Sequence, residues 1–408
     1  VEGTAAGEVI DGTYLGDPEG DLVDAGDGDP LLADANSDSI EAGAGADTIF
    51  AGLGDDTIRG EDGDDVINAE SGDDSIDGGL GNDSILAGSG ADSVNAGDGN
   101  DTIDGGTGDD TIEGGAGNDL IEGGGGADQI FGNDGDDTIL ASDGFGSDTV
   151  VGSEVGETNG DTLDLSGVGA EGVSIVYSGS ESGIVTGSTT GDTIDFSEIE
   201  NVTATDNDDT IDATLDTVGV NVDAGAGDDL VSGGSGSDTI DGGAGSDTIS
   251  GGADGDLITA GAGDDSINVA QGDTVTGGDG DDFFNYIAEQ GADTFFGGEG
   301  EDTLRIDIVK EIAELNSIQS SGTIFYQFKD FTIGLRDIEA LNIDLGDEDD
   351  VLDLTPDGFA TPIASEVNGF GGDDLITGTN RSDTLRGGAG KDTLIGAGGG
   401  DDRLFGGA

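Results

Sequence analysis

Cysteine, methionine, histidine and tryptophan are all missing from the 408 residues, and proline occurs only 4 times. Without cysteine no disulfide holds the chain together. Without histidine or cysteine it lacks the usual catalytic bases and nucleophiles, and the ligands that favour zinc or copper. Positive charge is almost as scarce. There are 9 Lys and Arg against 93 Asp and Glu, a formal net charge of −84, and Arg59 is the one basic residue before position 300. Phosphate recognition needs Lys and Arg, so nucleic acid is excluded as a partner and anionic membranes are disfavoured. No apolar run approaches the about 20 residues of a membrane span, which argues against insertion. The chain starts at Val1 with no initiator Met or secretory signal pattern and stops on "GGA", an unfinished repeat, so it reads as a fragment of a longer protein.

What is present is glycine, 84 residues of it, and acid. With aromatics at 4 %, this composition ordinarily describes a disordered chain, because too little can be buried to offset the entropy of folding. The acid, however, is periodic. Cut in nines from Ala42, the chain gives eleven successive units to Leu140, among them "AGAGADTIF", "GGTGDDTIE" and "GGAGNDLIE". Aspartate fills the sixth place each time: Asp47, Asp56, Asp65, Asp74, Asp83, Asp92, Asp101, Asp110, Asp119, Asp128 and Asp137. Ile or Val fills the eighth, from Ile49 to Ile139. Looser units precede this block, a second block runs from Ala224 to Asn285, and a third, irregular one starts at Gly369.

Glycines at places one, two and four permit positive φ and close backbone approach, so that half of the unit is a turn. The remainder, such as "DTI", is a short strand with one inward apolar side chain. Nine residues cannot enclose a core, so units must stack and share one. Two turns and two strands per coil give an all-β, flattened parallel solenoid. Eleven units would make a stack of roughly 26 Å at about 4.8 Å per coil. Equivalent aspartates then lie about 4.8 Å apart, and at an effective dielectric of about 20 each neighbouring pair repels by roughly 3 kcal/mol. A few such pairs exceed the about 5–15 kcal/mol that holds a domain together, so the rows need cations. Hard carboxylate and carbonyl oxygens select calcium, and magnesium fits less well because it demands octahedral geometry and keeps its waters.

"GGAGNDLIE" and "GGTGDDTIE" resemble the RTX (repeats-in-toxin) nonapeptide, whose form is G-G-x-G-x-D-x-U-x. The resemblance implies a parallel β-roll in which the sixth-place aspartates and turn carbonyls bind calcium between coils, about one ion per well-formed repeat. It extends the ligand role of the eleven aspartates to Asp229, Asp238, Asp247, Asp256, Asp265, Asp282, Asp374, Asp383 and Asp392. Three units depart from the pattern, with Glu70, Asp254 and Arg381 at glycine places, and weaker calcium is expected there. The resemblance further implies a bacterial, extracellular or cell-surface protein exported by type I secretion, with its signal beyond Ala408.

The expected organisation is degenerate repeats over 1–41, a β-roll over 42–140, a β spacer over 141–223, a second roll over 224–285, a second spacer over 286–368, and a truncated roll over 369–408. The spacers echo each other: "GDTLDLSG" at 160 matches "EDTLRIDI" at 301, so the chain reads as a larger duplication. "TIFYQFKDFTIGL" predicts two strands around a turn at Lys329–Asp330, and "IVKEIAELNSI" from Ile308 a short helix. The spacers read as wider, metal-poor coils or as caps on sheet edges. Mixed Thr, Ser, Val and Leu at the seventh place form no regular threonine ladder, which argues against ice binding. With carboxylates at ligand spacing and no other catalytic group, the chain is not expected to be an enzyme. The leading expectation is a secreted calcium-binding structural protein that self-associates into a surface layer, filament or matrix. The alternative is a non-catalytic module of a larger secreted enzyme or adhesin.

Overall fold

A computed structural model describes residues 9–10, 37–153, 155–169, 171–270, 272–288, 291–308, 316–320, 323–327, 331–336, 340–345, 350–354 and 364–407. The chain divides into two compact units, residues 1–206 and 207–408. Among the described residues every regular element is a strand. The fold is a parallel β-solenoid, as the nine-residue period requires.

In the first unit two parallel sheets alternate along the sequence. One holds Ser39–Ala44, Thr57–Asp62, Ser75–Leu80, Ser93–Asp98, Thr111–Ala116, Gln129–Asp134 and Ser147–Val151. The other holds Thr48–Leu53, Val66–Ser71, Ser84–Ser89, Thr102–Thr107, Leu120–Glu122, Thr138–Ser142 and Thr162–Gly167. Each strand pairs with the one two units on, so Ile40 lies beside Ile58, then Ile76, Val94, Ile112 and Ile130. Opposite them run Ile49, Ile67, Ile85, Ile103, Ile121 and Ile139. All are buried, and with the first-place alanines Ala42, Ala51, Ala69, Ala87 and Ala96 they are the core of this block. One branched and one very small side chain per nine residues is a thin core.

The spacers interrupt parallel stacking with antiparallel strands. In the first unit Thr193–Ser197 continues the sheet by pairing in parallel with Ser147–Val151. Ser182–Gly187 then runs antiparallel to it, and Val173–Gly179 antiparallel to that. Tyr177 packs edge-to-face on Phe196 at 5.3 Å beneath this meander. The second unit repeats the device. Phe331–Arg336 pairs in parallel with Gly291–Glu299, and Thr323–Gln327 and Asn316–Ser320 follow antiparallel. The two strands expected around Lys329–Asp330 are thus present, while residues 328–330 lie outside the described residues. The helix expected from Ile308 is not seen where it can be checked. Its end, Asn316–Ser320, is strand, the outer arm of an antiparallel hairpin with Thr323–Gln327, which in turn pairs with Phe331–Arg336 on the parallel sheet. Residues 309–315 lie outside the described residues, as does most of 1–41.

Glycine sets the pitch at the fourth place. A Cβ on Gly99 would lie 1.6 Å from the carbonyl oxygen of Gly81 one coil earlier, and Gly63, Gly72, Gly81 and Gly90 stand at similar distances from their predecessors. Some coils admit side chains at the second place: Glu61, Glu70 and Asn133 occupy it with φ of 71°, 71° and 73°. Replacing Gly99 by Ala should therefore open the stack. Gly52→Ala, with φ +109° but nothing within 4 Å of its Cβ, should cost only the backbone strain of about 1–3 kcal/mol. Thermal melts of both variants at one calcium concentration test this; equal losses would show that stacking contact at Gly99 is unimportant.

Candidate metal centres

The strand–turn junction brings each sixth-place aspartate inward, immediately before the strand whose apolar residue enters the core. There its carboxylate is buried although nothing apolar attracts it. The reason is a hydrogen bond across the stack. Oδ1 of Asp65 accepts the main-chain N–H of Asp47 at 2.8 Å, and Asp83 accepts that of Asp65 at 2.8 Å. Asp101, Asp119 and Asp137 continue this row. Asp56, Asp74, Asp92, Asp110 and Asp128 form the row on the other edge. In the second unit Asp229, Asp247, Asp265 and Asp282 bond likewise, as do Asp238 and Asp256. Asp374, Asp383 and Asp392 accept the amides of Asp350, Ser365 and Asp374.

The second oxygen is different. Oδ2 of Asp56, Asp65, Asp74, Asp83, Asp92, Asp101, Asp110, Asp119, Asp128 and Asp137 is buried with no hydrogen-bond partner. The same holds at Asp229, Asp238, Asp247, Asp256, Asp265, Asp282, Asp383 and Asp392. Asp47 is equally buried at the start of its row. At the first-place glycines Gly60, Gly78, Gly105, Gly114, Gly233 and Gly242, the Oδ2 of the same unit lies beside a main-chain carbonyl of the next coil. A Cβ on Gly60 would meet Asp65 Oδ2 at 2.4 Å and the Gly78 oxygen at 2.5 Å; at Gly233 the corresponding atoms are Asp238 Oδ2 at 2.2 Å and the Gly251 oxygen at 2.4 Å. Carboxylate and carbonyl oxygens therefore converge at these glycines in a space that a Cβ would fill. This is a hard, all-oxygen donor set, and it fits calcium.

Electrostatics follows from that geometry. Burial pushes the Asp83, Asp110 and Asp119 carboxyls up, the amide bond offsets part of this, and the carboxylates one coil away raise them again, to about 7. Asp229, Asp256 and Asp282 also reach about 7, and Asp247 about 6, for the same causes. A buried acceptor with no donor and a displaced proton equilibrium is a site waiting for a cation.

A profile of the family described as RTX calcium-binding nonapeptide repeat matches the chain repeatedly, in overlapping segments spanning residues 24–147, 221–286 and 368–408. These segments make up more than half of the chain. The chain belongs to this family. No curated protein sequence matches it. Among solved structures, the extracellular lipase LipA from Serratia marcescens is similar over 59 % of this chain and 38 % of its own, at 17 % identity and a TM-score of 0.16. The chain thus spans well under half of that lipase.

The RTX ladder also runs further than the strict nonapeptides. Asp148 and Asp161 accept the amides of Asp128 and Asp137, with intervals of 20 and 24 residues instead of 18. Asp273, Asp293 and Asp302 extend it in the second unit. Their signal in the sequence is Asp-x-apolar, as in "SDTV", "GDTL" and "ADTFF", which persists where the glycine half changes length. Two of these rungs are already satisfied. Oδ2 of Asp293 accepts the Tyr286 hydroxyl at 2.5 Å, and Oδ2 of Asp273 accepts the Ala270 amide at 2.8 Å. Of the departing units, Glu70 and Asp254 keep the turn by adopting φ of 71° and 75°.

Because the buried carboxyls near 7 still hold protons where the unfolded chain, with values near 3.8, has lost them, metal-free stability falls as pH rises from about 4 to about 7. Calcium displaces those protons, so its affinity rises over the same window. Melts in chelator at pH 5 and pH 8 should show lower stability at pH 8, and melts in excess calcium the reverse order. Asp110→Asn separates the two roles of the carboxylate, since it retains an oxygen for the Asp92 amide and removes the charge. It should raise metal-free stability by about 1 kcal/mol or more and shift the calcium midpoint upward. A variant less stable than the parent in chelator would contradict the repulsion argument.

Proposed function

We propose that this chain is a secreted structural protein that stays unfolded inside the bacterium, folds on calcium outside it, and assembles with other copies into a surface layer, filament or extracellular matrix. The observation that carries the folding half is the double row of buried Oδ2 atoms without partners, in a chain whose first 300 residues hold a single basic side chain. The charges bury themselves only where something neutralises them. Extracellular calcium modules bind at about 10⁻⁴–10⁻³ M, so about 10 mM calcium adds roughly 1.4–2.7 kcal/mol per site, while cytosolic levels add almost nothing. Stacking couples the sites, because each aspartate bonds to the coil before it.

What supports assembly is the outer surface of one sheet. Phe50, Leu53, Val66, Leu86 and Leu120 are exposed there, on strands Thr48–Leu53, Val66–Ser71, Ser84–Ser89 and Leu120–Glu122, whereas on the opposite sheet of this block Leu80 is exposed and the ninth-place column reads Arg59, Asp77, Asn95, Glu113 and Phe131. Bare chains at −84 repel one another; about 20 calcium ions would cancel about 40 charges and relax that barrier.

Circular dichroism during a calcium titration should show coil becoming β at a sharp midpoint. Asp101→Ala or Asp110→Ala should raise that midpoint several-fold, while Asp195→Ala, exposed on the first spacer, should leave it unchanged. A chain equally folded in excess chelator would sink the folding half. Light scattering with and without calcium tests the other half. Folded, calcium-loaded protein that stays monomeric at high concentration would instead assign the chain as a non-catalytic module of a larger secreted enzyme or adhesin.

A further inference from the structure

Between Asp137 and Asp161 the repeat lengthens to 24 residues, and the additional residues carry a second kind of acidic site. One carboxylate oxygen from each of Glu157, Asp161 and Glu200 lies within 4.8 Å of the others. Asp161 is 0 % exposed; its Oδ1 accepts the Asp137 amide at 2.7 Å, and its Oδ2 is buried with no hydrogen-bond partner. That Oδ2 and the Glu198 carbonyl oxygen border the same space beside Gly152, where a Cβ would lie 2.2 and 1.9 Å from them. The pair reproduces the carboxylate–carbonyl arrangement of the repeats. The glutamates have no counterpart in the nonapeptides.

Glu200 also takes over the ladder. Its Oε2 accepts the Asp161 amide at 2.6 Å, the bond a next-coil aspartate would otherwise receive. Glu157 is held nearby because Asp136 binds the loop that follows it: Oδ1 accepts the amides of Thr158 and Asn159 at 2.6 and 3.0 Å, and Oδ2 accepts the Asn159 side-chain amide at 3.0 Å. The Asn201 side chain spans the two segments, donating to the carbonyls of Asn159 and Asp161. Three carboxylates thus converge in a unit whose sequence contains one cationic side chain, Arg59, itself paired with Glu41.

We propose that Glu157, Asp161, Glu200 and the Glu198 carbonyl form a calcium site inside the first spacer that ends one aspartate row and locks residues 155–161 to the 198–201 turn. It rests on the calcium reading of the repeats and deepens it, because it sets a site in a segment where the nonapeptide pattern places none. Three carboxylates plus a carbonyl suit a flexible, oxygen-rich shell better than an octahedral one, which favours calcium over magnesium.

Crystals of the full chain grown in calcium test it through the anomalous signal of the ion. A peak is expected among Glu157, Asp161 and Glu200, together with peaks along the rows at Asp101 and Asp119. In the Glu157→Gln/Glu200→Gln variant the spacer peak should vanish and the row peaks persist. Occupied rows with an empty spacer position, or a spacer peak that survives the variant, overturn this inference alone; no peak anywhere overturns the calcium reading with it. Hydrogen exchange at saturating calcium gives a second readout on the full chain. The variant should exchange at least ten-fold faster over 155–165 and 198–203 and unchanged over 101–119. Unchanged exchange in the spacer would also refute the site.

Discussion

The bond from a sixth-place carboxylate to the main-chain amide eighteen residues earlier governs the rest of this structure. It fixes which coil sits on which, because only one register offers each Oδ1 its N–H. It also spends one oxygen of the carboxylate and leaves the other buried without a donor. From that follow the small first-place residues, which leave Oδ2 its space, and the raised proton affinity of the rows. A second ladder of opposite polarity runs outside it. The fifth-place side chains of Asp64, Asn82 and Asn100 accept from the following coil, at Asn82, Asn100 and Asn118. Where the fifth place carries Asp or Asn, the junction between coils is therefore clamped from both sides by side chains, in a fold whose apolar column is too narrow to clamp it alone.

The periodic part of this fold was legible because its interactions repeat at a constant interval. Ile49, Ile67 and Ile85 announce an inward column, and Asp47, Asp65 and Asp83 announce the row beside it. The carboxylate as ligand was legible too; that one of its oxygens is committed to an amide was not, because composition and spacing say nothing of which atom faces which. The spacers yielded less. Their antiparallel meanders are anchored by parallel pairs such as Thr149 with Asp195, 46 residues apart, and no local period encodes such a distance. The helix pattern from Ile308 to Ile318 lost to a hairpin, Asn316–Ser320 with Thr323–Gln327, that extends from Phe331–Arg336, itself paired with Gly291–Glu299 at a distance of 40 residues. Asp161 and Asp293 were missed as rungs because the glycine half before them changes length, while the strand half that carries the rung stays the same.

Comparison among rungs shows how small the difference is between a metal position and a structural one. Asp293 and Asp282 both accept an amide through Oδ1. Asp293 then receives the Tyr286 hydroxyl on Oδ2, within a cluster where Tyr286 and Phe284 pack edge-on against Phe295 at 5.6 and 5.8 Å. Asp282 receives nothing. At Asp293 the wider chain supplies its own donor and a larger aromatic core, and the need for an ion there falls. Where it keeps to nine residues it has room for neither.

The chain's own cations do not resolve the remaining charge. Among the described residues, Arg59 pairs with Glu41, Arg305 with Asp344 and Arg386 with Glu366, all partly or largely exposed. Such pairs are worth about 0–1 kcal/mol, and none reaches a sixth-place carboxylate. A buried row of like charges has two remaining ways to persist. Protons can fill it at low pH, as the carboxyls near 7 allow, or a divalent ion can fill it at neutral pH. Protons neutralise one oxygen at a time and bridge nothing further, whereas a calcium ion accepts several oxygens from two coils at once. Only the second makes neutralisation and cohesion the same event, and a core one isoleucine wide requires that they be the same.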